Sequence, residues 1–260
     1  MTKKKKDKSD EELILNWKTA AELMIERQSI QKIPTNTPVD ELMEGGIEQG
    51  DVTEFYGEFG VGKSQLAFSL TVYISGKLGG DVVFIDCEDT FKPERIRQMT
   101  VACGYKVEEV LSRIHIMSPL TVEELSASID KIPENVTPKL LIIDGVTTLF
   151  RAEYIGRETL AERQGLLRQF LVKLKRWAKN TKTPVVVTNQ VYGNPSDVAF
   201  LPLEFRELAV GGHTLYHVID TRIFVRKGSE GKRIAKLIDS SRYPPAERTF
   251  KITEKGVEPV

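Results

Sequence analysis

Cysteine is nearly absent. Two thiols, Cys87 and Cys103, in 260 residues exclude a disulfide framework and lack metal-ligand spacing. Net charge is absent as well: 37 Lys and Arg face 37 Asp and Glu, so any nucleic-acid role must rest on local arrangement. No apolar run reaches the ~20 residues that span a bilayer, and the uncharged stretch from Gln65 to Gly76 is interrupted by polar residues. Lys3 to Lys6 are followed by neither an apolar segment nor a small-residue cleavage site, which excludes a secretory leader. Repeats of solenoid period are missing too. These absences predict a soluble, cytoplasmic chain with no membrane partner, of a size that one large core can accommodate.

What is present divides unevenly. Residues 1 to about 12 form a charged tail, with Lys3, Lys4, Lys5, Lys6 and Lys8 set against Asp10, Glu11 and Glu12. From Glu11 to about Arg27 the apolar positions Leu13, Ile14, Trp17, Ala20, Ala21, Leu23, Met24 and Ile25 recur at mixed three- and four-residue steps, predicting an amphipathic helix or two short ones. Pro34 and Pro38 break that pattern, so the chain reads as a tail and helix over 1–30 and a core over 31–260. Within the core, Val82–Ile85, Leu140–Ile143 and Val185–Thr188 are apolar enough to be buried on both faces, as parallel strands are. Crossover helices are expected over Glu94–Cys103, Val122–Ile132 and Glu158–Thr181. Thr221–Val225 and Ile234–Ile238, joined by a Gly-rich turn, predict an antiparallel hairpin. The expected class is α/β: a mostly parallel twisted sheet flanked by helices, with a C-terminal antiparallel hairpin extension.

Gly57-Glu58-Phe59-Gly60-Val61-Gly62-Lys63-Ser64 matches G-x-x-x-x-G-K-[ST], behind the predicted strand Val52–Tyr56 and ahead of an apolar helical stretch beginning at Gln65. The glycines let backbone N–H groups turn inward around a phosphate at a helix N-terminus. Lys63 adds a cation for the β- and γ-phosphates, and the Ser64 hydroxyl suits Mg²⁺. Asp144 ends one buried strand and is placed to hold Mg²⁺. Asp86, Glu88 and Asp89 follow another, and composition leaves open which of the three orients water. Asn189 and Gln190 follow a third, where an amide can sense the γ-phosphate.

With these strand ends in hand, the chain resembles the RecA/RadA recombinase family, from about Lys18 to Val257. The segments GEFGVGKSQLA, FIDCEDTFKPERI, LLIIDGVTTLFRAEYIGRETLAERQ, VVVTNQV, VGGHTLYH and GKRIAKLID carry the likeness. The resemblance implies a RecA-like P-loop core and a DNA-dependent ATPase of homologous recombination and repair, with ATP and Mg²⁺ as cofactors. It implies that Glu88 activates water, Arg95 covers the adenine and Gln190 couples the γ-phosphate to a DNA-binding loop. Asp239 and Pro244 resemble a cap that a neighbouring protomer lays over the nucleotide, and His217 a residue reaching the phosphate across that interface. Phe150 to Arg163 would be a first DNA-binding loop, carrying Arg151, Arg157 and Arg163; about Val191 to Gly211 would be a second. Trp17 and Ala20 stand where the family has an aromatic-x-x-Ala segment that docks one subunit on the next.

Departures accompany the likeness. Only a tail and a helix precede the core, where the family generally has a helical DNA-binding domain; either the lysine tail supplies phosphate contacts instead, or the chain is a RadA paralog, RadB-like. Gly145 follows Asp144 where the family usually has Ser, which predicts a looser contact around the attacking water. Between Val191 and Val210, Arg206 stands alone against Asp197, Glu204 and Glu207, a formal −2, and Phe200, Leu201 and Leu203 suit either bases or a protein partner. The expected partners are single-stranded DNA and either copies of this chain or a RadA-type recombinase subunit, with a nucleoid-associated location. The alternative is a regulatory paralog that binds ATP and a recombinase without exchanging strands.

Overall fold

The computed structural model describes residues 17–133, 135–193 and 207–260. By contacts the chain divides into residues 1–31 and residues 32–260. The first unit holds α1 (Ala20–Gln28). Its start is fixed by a reciprocal capping box: the Glu22 amide donates to Thr19 Oγ1 at 3.2 Å, and the Thr19 amide donates to Glu22 Oε2 at 2.7 Å. The helix therefore begins at Ala20, and Trp17 precedes it; residues 1–16, with the expected helical start at Glu11, lie outside the described residues.

The second unit opens with β1 (Lys32–Ile33), α2 (Val39–Leu42) and β2 (Ile47–Glu48) and continues into β3 (Val52–Tyr56), α3 (Lys63–Gly76), β4 (Val82–Asp86), α4 (Pro93–Ala102), α5 (Val107–Ser112), β5 (Ile114–Met117) and α6 (Val122–Asp130). It goes on through β6 (Leu140–Asp144), α7 (Thr148–Glu153), α8 (Leu160–Thr181), β7 (Val185–Asn189), β8 (Val191–Gly193), β9 (Glu207–Ala209) and α9 (His213–Tyr216). It ends with β10 (Thr221–Lys227), β11 (Arg233–Ser240), β12 (Glu247–Thr253) and β13 (Gly256–Pro259).

Nine strands form one sheet in the order β13-β12-β11-β10-β3-β7-β6-β4-β5. From β10 to β5 every pairing is parallel, and from β10 to β13 every pairing is antiparallel. The expected class holds, and the antiparallel extension is larger than one hairpin because β12 and β13 continue it.

Alternation along the strands explains the two-sided core. Phe55, Val82, Phe84, Leu140, Ile142 and Val186 pack with Leu66, Leu70 and Met99 on one face. Val83, Ile85, Leu141, Ile143, Val185 and Val187 pack with Leu125, Leu167, Phe170 and Leu174 on the other. Pro93 opens α4 at a position whose N–H would lack an intrahelical partner. The sheet's register sets Tyr56 beside Asn189 and Asp86 beside Asp144, so the ends of four parallel strands share one edge. Among the described residues no helix is long and apolar enough to cross a membrane.

Candidate nucleotide site

The turn after β3 is built around a close approach. The Gly57 amide donates to the Asn189 carbonyl at 3.3 Å, and a Cβ at position 57 would fall 2.0 Å from the Val225 carbonyl oxygen of β10. Only glycine fits, so the loop can leave β3 hard against its neighbours. Glu58, Phe59 and Gly60 are exposed, Val61 is buried beneath them, and Gly62 leads into α3. Lys63 bends back over the loop, its Nζ donating to the Gly57 carbonyl at 2.9 Å and the Glu58 carbonyl at 2.8 Å. Burial pushes the Lys63 ammonium below its ordinary value, opposed by Glu88, Asp144 and Glu58.

Asp144, 1% exposed at the end of β6, faces this loop. Thr188 Oγ1 donates to its Oδ1 and Thr90 Oγ1 to its Oδ2 at 3.3 Å, with the Ser64 side chain close by. Burial drives the Asp144 carboxyl above the usual carboxylate range; hydrogen bonds from Thr188 and Ser64 pull it down, and Glu88 and Asp86 push it up. A hydroxyl beside a carboxylate at a helix N-terminus is a donor set suited to Mg²⁺, which binds few protein ligands and keeps several waters.

The three carboxylates after β4 separate by geometry. Asp86 is used up locally, accepting from the backbone amides of Glu88 at 3.2 Å, Thr90 at 3.2 Å and Phe91 at 2.8 Å. Asp89 is exposed on a left-handed turn, with φ of 55°. Glu88 turns inward: its Oε1 accepts from Gln190 Nε2 at 2.9 Å and from Thr148 Oγ1 at 3.0 Å. Gly145 makes this possible. Its φ is +84°, and a Cβ there would stand 2.5 Å from Glu88 Cγ and 2.7 Å from Thr148 Oγ1. The expected loosening is therefore not what the geometry gives, because the Glu88 side chain occupies the space that a serine would take.

Lys63, Ser64, Glu88, Asp144 and Gln190 thus share one cleft at the sheet edge. Gln65 and Arg95 meet beside it, Arg95 Nε donating to Gln65 Oε1 at 2.9 Å and Nη2 to the Thr253 carbonyl at 2.6 Å. His217, Asp239 and Pro244 are exposed on the C-terminal part of the fold and take no part in this hydrogen-bonded network. Sequence reading missed Thr90, Thr148 and Thr188, which orient the acids. Thr188 had a signal, since it precedes Asn189 at a strand end; Thr148 had none.

The expected first DNA loop, Phe150 to Arg163, is corrected. Phe150 is buried within α7, and Arg163 lies within α8 with its Nη1 donating to the Tyr154 carbonyl at 3.2 Å. The helices extend because Leu149 and Phe150 have core partners, Phe150 stacking near Phe170 with centroids 6.0 Å apart. Non-helical chain is left over 154–159, where Arg157 is exposed; Arg151 is exposed on α7. Of the second loop, residues 194–206, including Asp197, Phe200, Leu201, Leu203, Glu204 and Arg206, lie outside the described residues. Its flanks pair as β8 and β9, and Asn189 Nδ2 donates to the Val210 carbonyl at 2.7 Å where the loop returns. Trp17 is 92% exposed and Ala20 is the exposed first residue of α1.

A family model described as Rad51 matches residues 26–260. A protein named "DNA repair and recombination protein RadA", from Aeropyrum pernix, is 40% identical over 260 residues, covering 96% of this chain and 80% of its own length. With a P-loop, an acidic strand edge and a sequence match running through both, the chain belongs to the Rad51 family.

Proposed function

We propose that this chain is a DNA-dependent ATPase of homologous recombination and repair, which assembles head to tail with nucleotide between subunits and engages single-stranded DNA. The observation that carries the reading is the single cleft shared by Lys63, Ser64, Glu88, Asp144 and Gln190.

In this reading the amides of residues 57–64 cradle the β-phosphate, and Lys63 exchanges its two carbonyl acceptors for phosphate oxygens. Ser64 and Asp144 would hold Mg²⁺, which when bound neutralises charge on the β- and γ-phosphates. Glu88 accepts the proton of the attacking water, and Gln190, released from Glu88 Oε1, turns to the γ-phosphate and reports it to the loop beyond β8. Arg95 lies beside the base. From a neighbouring copy, Asp239 and Pro244 cover the nucleotide and His217 reaches the phosphate. Arg151 and Arg157 meet DNA phosphates.

The −2 formal charge between Val191 and Val210 favours an accessory paralog over the main strand-exchange protein, with a RadA-type subunit as its second partner. Glu88→Gln is the direct test. It should retain ATP binding, measured with a fluorescent analogue, while slowing turnover ~10²–10⁴-fold, the range for loss of a general base. Lys63→Ala should lose the binding itself. An unchanged kcat in Glu88→Gln would remove Glu88 from the reaction, and normal ATP affinity in Lys63→Ala would remove the phosphate loop from it.

A further inference from the structure

Among the described residues Arg222, on β10, is the largest fully buried side chain, at 0% exposure. Its Nε donates to Glu54 Oε2 at 2.6 Å, but among the described residues neither Nη1 nor Nη2 has a hydrogen-bond partner. Two aromatic faces stand there instead: Arg222 Cζ lies 4.8 Å from the Tyr56 ring centroid and 3.8 Å from that of Tyr216. A desolvated guanidinium held by ring faces is a strong cation–π arrangement. Glu54 leads onward. Its Oε1 accepts from Asn189 Nδ2 at 2.8 Å, Asn189 Oδ1 accepts from the Gln190 amide at 2.9 Å, and Gln190 reaches Glu88.

Tyr216 is the last residue of α9, and His217 is the next residue along the chain. Four residues cannot hold a helix by propensity, so α9 stays where its side chains anchor it. Leu215 is buried, Thr214 Oγ1 donates to Gln164 Oε1 at 2.7 Å, and Tyr216 lies on Arg222.

We propose that Tyr216 is a positioning residue: stacked on Arg222, it sets the direction in which His217 leaves α9, and the buried chain Arg222–Glu54–Asn189 ties that direction to Gln190 at the chain's own nucleotide site. This rests on the reading above in which His217 faces a neighbour's nucleotide. The link gives a γ-phosphate sensed by Gln190 a route through packed side chains, independent of the second loop, to the surface that meets the next subunit.

The test compares Tyr216→Ala, Tyr216→Leu, Tyr216→Phe, His217→Ala and the Tyr216→Ala/His217→Ala double variant in MgATP turnover with single-stranded DNA, alongside thermal melting. Tyr216→Ala and Tyr216→Leu should lower kcat about tenfold, the scale of one desolvated cation–π contact, with KM unchanged and the melting temperature lowered by a few degrees because Arg222 loses a ring face. Tyr216→Phe should restore turnover, because it keeps the ring face on Arg222. The double variant should be no slower than His217→Ala, as expected of residues acting in series. Normal turnover in Tyr216→Leu, failure of Tyr216→Phe to restore it, or additive losses in the double variant overturns the proposal alone. Normal turnover in His217→Ala overturns the functional reading of that residue and this proposal with it.

Discussion

Asp144 concentrates the electrostatic cost of the site in one residue. It is held almost out of solvent near Glu88 and Asp86, and burial raises its carboxyl above the ordinary range. The sign of the consequence follows from which form the fold disfavours. A carboxyl raised on folding is penalised when ionised, so its contribution to stability falls as pH rises from the unfolded carboxylate value through the raised one, and recovers on acidification. Above the raised value the free protein carries the whole penalty. Asp144→Asn removes that charge and keeps an acceptor for Thr188, so it should raise the melting temperature without nucleotide by a few degrees, about what 1 kcal/mol gives in a chain of this size. The same substitution should weaken Mg²⁺-dependent ATP binding by at least about tenfold, since the ion loses a charged ligand. Melting curves with and without MgATP check both halves. A lower melting temperature in the free variant would show that the hydrogen bonds of Thr188, Ser64 and Thr90 outweigh the buried charge.

At the scale of elements, legibility followed burial. The parallel strands β4, β6 and β7 are buried on both faces and were readable as apolar runs with acidic or amide ends at one edge, whereas β3, which carries Thr53 and Glu54, was readable from the phosphate-loop motif that follows it. The edge strand β5 was not readable, because Ile114, His115, Ile116 and Met117 are all partly or fully exposed and show no alternation. Nor were β12 and β13, where charged residues interrupt the pattern and Phe250, Ile252 and Val257 reach the core. The segment between β6 and α8 misled for a different reason: the family resemblance implied a loop starting at Phe150, while Leu149 and Phe150 had partners that only the tertiary fold supplies. That difference predicts unequal arginines. Arg157, exposed on the remaining turn, is free to meet a phosphate, whereas Arg163 is committed to the Tyr154 carbonyl. Arg157→Ala should therefore weaken single-stranded DNA binding and lower the salt slope by about 0.7, one phosphate contact on a single strand. Arg163→Ala should leave the slope alone and act on stability. Fluorescence anisotropy over a salt series separates the two, and an unchanged slope for Arg157→Ala would move the DNA site elsewhere.

For the whole molecule, the question is what the apolar surface of residues 17–28 is for. Trp17 is 92% exposed, Leu23, Met24 and Ile25 are exposed too, and no residue of α1 is buried, although the capping box shows that the helix is well specified. A formed helix with an uncovered aromatic anchor at its start gains nothing from water. Covering a Trp side chain of roughly 200 Å² is worth at most about 5 kcal/mol, which makes it the natural centre of a contact. The chain's neutral charge adds no long-range repulsion between copies. On the proposed reading, the anchor docks on the core of the next subunit and brings its Asp239, Pro244 and His217 to the nucleotide held by Lys63 and Asp144, so assembly and ATP binding stabilise each other. Trp17→Ala should then raise the concentration needed for ATP-dependent assembly by about thirtyfold, a typical loss at an aromatic hot spot. Trp17→Phe should recover most of it. On this reading the melting temperature of the dilute, unassembled chain should be unchanged. Light scattering against protein concentration measures the shift, and assembly of Trp17→Ala at the wild-type concentration would show that another surface joins the subunits.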